Sequence, residues 1–228
     1  MKKKYSTWKK IAVPELTALH RQNRVIFSNY ICSFNPSNQP KLIITDESTV
    51  MVNMEKGGIW RHRGQFPPGT FYTNDKHAAS VMVWARIGPN GFKTKLLRCP
   101  KRMNSHTYCD LLIKNGIIEI LQNTFPNTFV FQQDGAPCHR SNYTKQTLLS
   151  KVPYTIAWPS KSPDLSPIEE LWDCIKNKVR GIFFKTADEL FDRLANEWNA
   201  IPSELIENYY SSLRARCIVC ARYNRPLS

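Results

Sequence analysis

The pattern of apolar and polar positions predicts an order of secondary-structure elements along the chain. Five short segments are apolar enough for buried strands, and they read KLIIT, VMVNM, SVMVWARI, TFVFQQD and YTIAW. From Pro167 onward the apolar residues instead recur at the spacings of amphipathic helices. Strands therefore come first, strands and helices then alternate, and helices follow. This order predicts an α/β fold with a central mixed β-sheet flanked by helices.

Local breaks in the pattern predict how these elements are connected. KLIIT and VMVNM lie so close together that we predict two strands joined by a tight turn. The turn GPNG joins SVMVWARI to a partner strand, FKTKLLRC. Helical periodicity predicts one helix over residues 15–31 and another over 104–125, in which Gly116 is a weak point. Residues 55–77 are rich in Gly, Pro and charge, which predicts a loop.

Length and composition indicate one main domain with appendages. The chain has 228 residues, and 42% of them are apolar, which is enough for one well-buried core. We assign residues 1–38 to a basic N-terminal arm with a linker-like helix, 39–181 to the sheet-bearing domain, and 182–228 to C-terminal helices packed on it. No signal-peptide core follows the basic start, and no window approaches the ~18 apolar residues of a membrane span. We expect a soluble protein without a membrane partner.

The seven cysteines are irregularly spaced, at positions 32, 99, 109, 138, 174, 217 and 220. Several lie among apolar residues, where a reduced thiol packs like a small hydrophobic side chain. This usage favours an intracellular, reducing compartment. Cys217 and Cys220 form the one close pair, but a second pair and nearby histidines are missing from the sequence around them. Structural packing is therefore favoured over a zinc site.

The charge balance favours nucleic acid as the first partner to consider. Lys and Arg number 32 against 18 acidic residues, which gives a formal net charge of +14 and a pI near 9.6. The basic residues are spread along the chain rather than held in one tail. Many soluble proteins are also basic without binding nucleic acid, so the charge alone leaves both interpretations open.

Two acids follow apolar segments in the same way. Asp46 comes directly after KLIIT, and Asp134 ends TFVFQQD, so each is predicted to lie where its strand leaves the sheet. Ligands bind at the carboxyl ends of parallel strands in open α/β sheets. Two neighbouring carboxylates repel each other unless a cation lies between them, and hard oxygen ligands suit Mg²⁺ or Mn²⁺. The alternative is that each Asp is an ordinary turn residue.

A third acid, Glu169, begins a predicted helix. Ser166 is placed as its N-cap and Pro167 at its first position, so Glu169 is the acid of a capping box. The same residue lies in the first turn, beside the apolar stripe that packs on the sheet. From there Glu169 could also reach the edge where Asp46 and Asp134 are expected. The spacing supports both roles.

The segments TDES, QQDGAPCH and WPSKSPDLSPIEELW, in this order, closely resemble the catalytic core of mariner-superfamily DNA transposases. That family has a DDE triad on a ribonuclease-H-like fold. The resemblance implies that Asp46, Asp134 and Glu169 are the catalytic and metal-binding triad, and the 34 residues between the last two match the family's spacing. The third acid is Glu, as in the Glu-bearing branch, whereas mariner elements proper have Asp. The resemblance extends over almost the whole chain.

The resemblance also implies a mechanism and a set of partners. Two divalent cations, Mg²⁺ or Mn²⁺, would serve cleavage of a DNA strand at the element's end and transfer of the freed 3′-hydroxyl to target DNA. Double-stranded DNA, rather than a small molecule, is the expected substrate, and the nucleus is the expected location in a eukaryote. His139 matches a family histidine that orients the scissile phosphate or a metal-bound water, although a simple structural hydrogen bond also explains it. Apart from the resemblance, basic residues outside the triad could contact phosphates along a DNA duplex, although a solvated surface charge also explains each of them: Arg61, Arg63, Lys93, Lys95, Arg140, Lys161, Lys176 and Arg180.

The front of the chain departs from the family pattern. Residues 8–31 resemble the interdomain linker, where a Trp-Val-Pro-His-Glu-Leu-like motif helps transposases form a homodimer, but here the segment reads AVPEL without the histidine. The two helix-turn-helix modules that read transposon ends are not matched before residue 8. The chain thus resembles a catalytic domain without them. Two alternatives stay open, a catalytically silent DNA-binding remnant and an unrelated ribonuclease-H-like nuclease acting on RNA or hybrids.

Overall fold

The computed structural model describes residues 15–34, 41–52, 80–126 and 128–223. The basic segment MKKKYSTWKK, the predicted loop 55–77, and two predicted phosphate-binding residues, Arg61 and Arg63, lie outside these ranges. Within them, no helix is both long and apolar enough to cross a membrane.

A sheet of five strands forms the centre of the described structure. The strands are β1 (Lys41–Met51), β2 (Ser80–Ile87), β3 (Leu97–Cys99), β4 (Phe129–Gln133) and β5 (Tyr154–Ala157). Their order across the sheet is β3-β2-β1-β4-β5. β2 is antiparallel to both β1 and β3, whereas the pairs β1–β4 and β4–β5 are parallel. The predicted mixed sheet is confirmed, and β1 lies between its antiparallel and parallel halves.

β1 is one continuous strand, so the predicted tight turn between KLIIT and VMVNM is wrong. Residues Ile44–Met51 pair without interruption with Ser80–Ile87 of β2. The β2 backbone thereby provides hydrogen-bond partners for the polar stretch DEST, which continues the strand instead of turning. Pairing with β4 covers only Lys41–Ile44. Asp46, opposite Ala85, therefore lies inside a strand, just past the end of its parallel neighbour, rather than at a strand end.

The helices are α1 (Ala18–Ser33), α2 (Ser105–Lys114), α3 (Ile117–Thr124), α4 (Pro137–Arg140), α5 (Asn142–Leu149), α6 (Pro167–Val179), α7 (Ala187–Asn199) and α8 (Ser203–Tyr223). A 3₁₀ turn, Pro163–Leu165, precedes α6. The single helix predicted over 104–125 is instead α2 and α3. The chain divides at Gly116, whose φ of 62° leaves the helical path.

Helices cover both faces of the sheet, as predicted. Leu42 and Ile44 belong to a core that is completed by α1, α6, α7 and α8, whereas Ile43 belongs to a core completed by α2, α3 and α5. This division follows from the alternation of side chains along a strand. The linker-like helix and the C-terminal helices thus share one core with the sheet. The domain boundaries at residues 38 and 181 stay a prediction.

The cysteines are free thiols in the structure. Cys217 and Cys220 lie on α8 and are fully buried in the core shared with α1. Burial is the main cause that raises the pKa of Cys217 to about 12, so this thiol is neutral at neutral pH. The arrangement agrees with structural packing of this pair.

Gly91 provides a test of how α8 is fixed to the β2–β3 connection. Its φ is 68°, and a Cβ atom there would lie 2.5 Å from the backbone oxygen of Ser203. Gly116 also has a positive φ, but a Cβ there would meet only Glu119 Oε2, at 3.8 Å. We expect Gly91→Ala to lower the free energy of unfolding by about 3 kcal/mol, and Gly116→Ala by about 1 kcal/mol. Denaturant unfolding measures both, and equal losses would contradict the close approach.

Candidate active site

A cleft of about 390 Å³ opens at the edge of the sheet where β4 and β5 end. All three acids singled out from the sequence, Asp46, Asp134 and Glu169, line it. They come from β1, from the residue after β4 and from the first turn of α6. The fold therefore brings together side chains that are far apart in the sequence, at the edge where open α/β sheets bind ligands.

Asp46 is the deepest of the three acids. The indole Nε1 of Trp172, on α6, donates a hydrogen bond of 2.9 Å to Asp46 Oδ2, and this contact fixes the carboxylate. The pKa of Asp46 is raised to about 7, mainly by burial, with further contributions from the charges of Glu169 and Glu47. A carboxylate that is held near two others gains most from a cation.

Asp134 follows β4 directly and is about half exposed, as predicted for an acid at a strand end. Its Oδ1 accepts a 2.9 Å hydrogen bond from the backbone N–H of Ala136, the pattern of an Asp in a turn. The same oxygen lies 2.5 Å from Nδ1 of His139. Burial alone would raise the pKa of Asp134, but the hydrogen bonds from His139 and Ala136 outweigh it and lower the pKa. The turn role and a role in the cleft are thus compatible.

Glu169 lies in the first turn of α6, but the predicted capping box is wrong. Ser166 is the N-cap residue, yet its side chain makes no capping hydrogen bond. Its backbone N–H is already bonded to the carbonyl of Pro163 at 2.9 Å, so the Glu169 side chain has no N–H to accept there. Burial is the main cause that raises the pKa of Glu169, while Lys176 lowers it. The carboxylate lines the cleft instead of capping the helix.

His139 is buried on α4 and lies between two carboxylates. Nδ1 contacts Asp134, and Nε2 lies 3.3 Å from Glu47 Oε1. Burial opposes protonation, but the hydrogen bond to Asp134 and the nearby charge of Glu47 outweigh it and raise the pKa of His139 to about 9. The imidazole is therefore a cation at neutral pH. The ring of Tyr108 packs against it, with the two centroids 4.2 Å apart.

Glu47 is the site residue that the sequence interpretation missed, because it was assigned to a turn. In the continuous β1 strand, neighbouring side chains point to opposite faces of the sheet. Asp46 thus meets Trp172 on the α6 side, and Glu47 meets His139 on the α4 side. One signal in the sequence could have revealed Glu47. If the strand continues through DEST, Asp46 and Glu47 are adjacent and must lie on opposite faces of the sheet.

Lys93, one of the predicted phosphate-binding residues, is engaged inside the fold. Its Nζ donates hydrogen bonds to the carbonyls of Trp198, Asn199 and Ile201, at 2.7, 3.0 and 2.7 Å. These carbonyls lie at the C-terminal end of α7, where a cation is favoured. The ammonium therefore caps this helix, and that contact competes with the phosphate contact predicted for it.

Three other predicted basic residues surround the acids. Lys161 lines the cleft, and its Nζ also donates to the Glu15 carbonyl at 3.0 Å. The exposed Arg140 ends α4, and its charge helps to lower the pKa of Asp134. Lys176, about two turns after Glu169 on α6, is partly buried. Lys95 and Arg180 are exposed on the surface.

The model of the DDE superfamily endonucleases matches residues 41–191, which include the three acids of the cleft. The chain belongs to this DDE superfamily. Over 208 residues, this DDE chain is 31% identical to the Tcb2 transposase of Caenorhabditis briggsae, which covers 90% of the chain and 76% of that relative. The Tc1 transposase of Caenorhabditis elegans is 31% identical over 221 residues, 92% of the chain and 77% of that relative. The predicted relationship to mariner-superfamily transposases, as a DDE catalytic domain, is confirmed.

Solved structures confirm the ribonuclease-H-like fold of this DDE domain. The Mos1 transposase paired-end complex with the left transposon end superposes with a TM-score of 0.80 at 19% identity, over 98% of this chain and 67% of that chain. The catalytic domain of the Mos1 mariner transposase gives a TM-score of 0.72 at 17% identity, over 96% of this chain and all of that one. Mos1 paired-end complexes have been determined with Mn and with Mg. The family relationship supports divalent metal use by this DDE domain.

Proposed function

We propose that this DDE domain cleaves DNA strands at the ends of a transposon and joins the freed 3′ ends to target DNA, with Asp46, Asp134 and Glu169 as its catalytic acids. The observation that carries the proposal is that these acids come from three separate elements and line one cleft. If each acid had only a local structural role, nothing would require the three carboxylates to line the same cleft. Their order and spacing agree with the DDE pattern of the family.

The same three residues are proposed to hold two divalent cations, Mg²⁺ or Mn²⁺. The donor set fits such ions, because it consists of carboxylate oxygens, which hard cations prefer. Burial, and then the charges of Glu169 and Glu47, raise the pKa of Asp46, and a bound cation would offset the repulsion between these acids. When bound, two such cations stabilise charge on the attacking and leaving oxygens of an in-line phosphoryl transfer.

Residues around the acids hold them in position. Trp172 fixes Asp46 from α6, and the same helix carries Glu169, so one rigid element orients two of the three carboxylates. His139 and the Ala136 N–H fix Asp134 from the segment after β4. Preorganised ligands lose little freedom when a cation binds, which favours both affinity and rate.

Double-stranded DNA is the proposed substrate, with transposon ends and target DNA as its two forms. The formal net charge of +14 supports this choice. We propose that Arg140, Lys161 and Lys176 contact phosphates beside the acids, and that Lys95 and Arg180 extend the track. Arg61 and Arg63 stay predicted contacts. Binding through these residues should weaken as salt increases.

A substrate panel tests this function. Supercoiled plasmid, linear duplex DNA and an RNA–DNA hybrid are incubated with the protein at low salt, with Mg²⁺, with Mn²⁺ or with a chelator. We expect nicking of the plasmid that requires the metal and is strongest on DNA. Preferential cleavage of the hybrid would instead favour a ribonuclease-H-like activity. Metal binding without cleavage of any substrate would favour the silent DNA-binding remnant.

Location and assembly are also proposals. We propose action inside the cell, in the nucleus of a eukaryote, because its substrate lies there. A homodimer is proposed because the resembling transposases dimerise through the linker region. Light scattering with and without duplex DNA tests the dimer, and a monomer in both conditions would contradict it.

A further inference from the structure

We propose that Glu47 is a positioning residue of the active site, which orients the metal-binding acid Asp134 by holding His139 between them. This inference rests on the proposed function, because it treats Asp134 as a metal ligand. It adds a fourth acid that the DDE pattern does not contain. Glu47 would not touch the substrate or the metal.

The contacts form a continuous chain from β1 to the cleft. Glu47 Oε1 lies 3.3 Å from His139 Nε2, and His139 Nδ1 lies 2.5 Å from Asp134 Oδ1. The far side of the imidazole is closed by Tyr108, whose hydroxyl donates to Gln133 Oε1 at 3.0 Å. Gln133 Nε2 in turn donates to the His139 carbonyl at 3.3 Å. The ring can therefore shift little without loss of one of these contacts.

Burial makes the Glu47 contact significant. The side chains of His139 and Glu47 are 2% and 13% exposed. Among the described residues, neither His139 Nε2 nor Glu47 Oε1 has a hydrogen-bond partner, so their 3.3 Å ion-pair approach is the contact that compensates both buried groups. A buried charge that loses such a partner must reorganise, because water does not replace it.

Other titratable groups around Glu47 do not offer it a cation. Cys99, Tyr108 and Cys138 all feel its charge, and burial together with that charge raises the pKa of each. These groups stay neutral at neutral pH. Among the described residues, His139 is the basic group that lies in contact with Glu47. Removal of the Glu47 charge would leave the imidazole bound to Asp134 alone.

The three residues are better explained as a relay of direct contacts, one ion pair and one hydrogen bond, than as a separate metal site. Their ligand atoms lie within 4.8 Å of one another, which alone would allow a metal ion. His139 Nδ1 and Asp134 Oδ1, however, are only 2.5 Å apart, the length of a direct hydrogen bond. An ion with bonds of about 2 Å to both atoms would need them farther apart. Outer-shell partners of this kind typically change metal affinity or activity by about 10–100-fold.

The test compares Glu47→Gln with Glu119→Gln, which removes the same charge from an exposed position on α3. Mn²⁺ affinity is measured by calorimetric titration, and the Mn²⁺ dependence of plasmid nicking is measured in parallel. We expect Glu47→Gln to weaken Mn²⁺ binding by about 10–100-fold, with nicking recovered largely at saturating Mn²⁺. Glu119→Gln should match the parent. Parent-like Mn²⁺ binding by a folded Glu47→Gln would overturn the proposal.

A double-mutant cycle tests whether Glu47 acts through His139. His139→Asn should also weaken Mn²⁺ binding, and Glu47→Gln should then add almost nothing. Additive losses would mean that Glu47 acts independently, which contradicts the relay. If Glu47→Gln fails to fold, His139→Asn alone must still show the loss, and parent-like binding by it would overturn the proposal. Absence of nicking by the parent would refute the proposed function, whereas the binding titrations would still decide the role of Glu47.

Discussion

Replacement of Glu169 by Gln should reduce metal-dependent DNA cleavage by about 10³-fold, which corresponds to about 4 kcal/mol of transition-state stabilisation. The substitution keeps the size of the side chain and removes the charge that a cation needs. Glu169 lines the cleft and makes no capping contact with Ser166. The loss of activity should therefore not result from destabilisation of the N-terminus of α6. The measurement is the initial rate of plasmid nicking at saturating Mn²⁺.

The matched control for this prediction is Asp173→Asn. Asp173 lies one turn farther along α6, is exposed, and loses the same charge. Its nicking rate should stay within about twofold of the parent, as for most surface substitutions. Equal losses in both variants would show that the charge of α6, rather than a ligand in the cleft, controls the rate.

The largest effect on stability is expected from Arg24→Met on α1. Arg24 is 1% exposed, and its two terminal nitrogens each donate a 2.7 Å hydrogen bond to the carboxylate of Asp164. Removal of one partner of a buried ion pair costs about 3–5 kcal/mol, and the value here should lie near the lower end because the Asp164 side chain is 16% exposed. For a chain of this size, the melting temperature should fall by roughly 10 °C. Thermal unfolding followed by circular dichroism measures the change.

Lys114→Met is the control for Arg24→Met. Lys114 pairs with Asp110 one turn away on α2, but the two side chains are 73% and 54% exposed. Such surface pairs contribute at most about 0.5 kcal/mol. The double variant Arg24→Met with Asp164→Leu should recover part of the loss, because both charges are then removed. Equal melting temperatures for Arg24→Met and Lys114→Met would contradict the account.

The ion pair between Arg24 and Asp164 also attaches α1 to the segment before α6. The sequence pattern separates residues 1–38 from the catalytic domain, and the family match begins only at residue 41. In the structure, however, α1 is anchored to the wall of the cleft. Phe27 packs on Trp158, with ring centroids 4.8 Å apart, and the Lys161 Nζ bonds the Glu15 carbonyl. The helix before the predicted boundary at residue 38 thus packs against the catalytic domain, and the boundary itself stays a prediction.

The position of Asp134 was predictable from the sequence, and that of Asp46 only in part. Gly-Ala-Pro favours neither helix nor strand, so an apolar segment that ends on Asp and continues with these residues predicts the end of a strand. The structure agrees, because β4 ends at Gln133. Asp46 has a similar local context, but β1 continues to Met51 because β2 pairs along its whole second half. Such pairing depends on a strand distant in the sequence, which local periodicity does not contain.

Glu169 and Glu47 show a second limit of the same kind. The local sequence predicted a capping box for Glu169. That motif requires the backbone N–H of Ser166, which instead donates to the Pro163 carbonyl. Glu47 was assigned to a turn because its strand was not recognised as continuous. In both cases the local sequence is satisfied by two arrangements, and a tertiary contact selects one.

Asp46, Asp134 and Glu169 are proposed to form one site for divalent cations, and calorimetric titration with Mn²⁺ tests this site most directly. We expect the parent to bind Mn²⁺ and each of Asp134→Asn and Glu169→Gln to lose that binding while they unfold at nearly the parent's temperature. Undiminished Mn²⁺ binding by both variants would place the metal elsewhere and contradict the account.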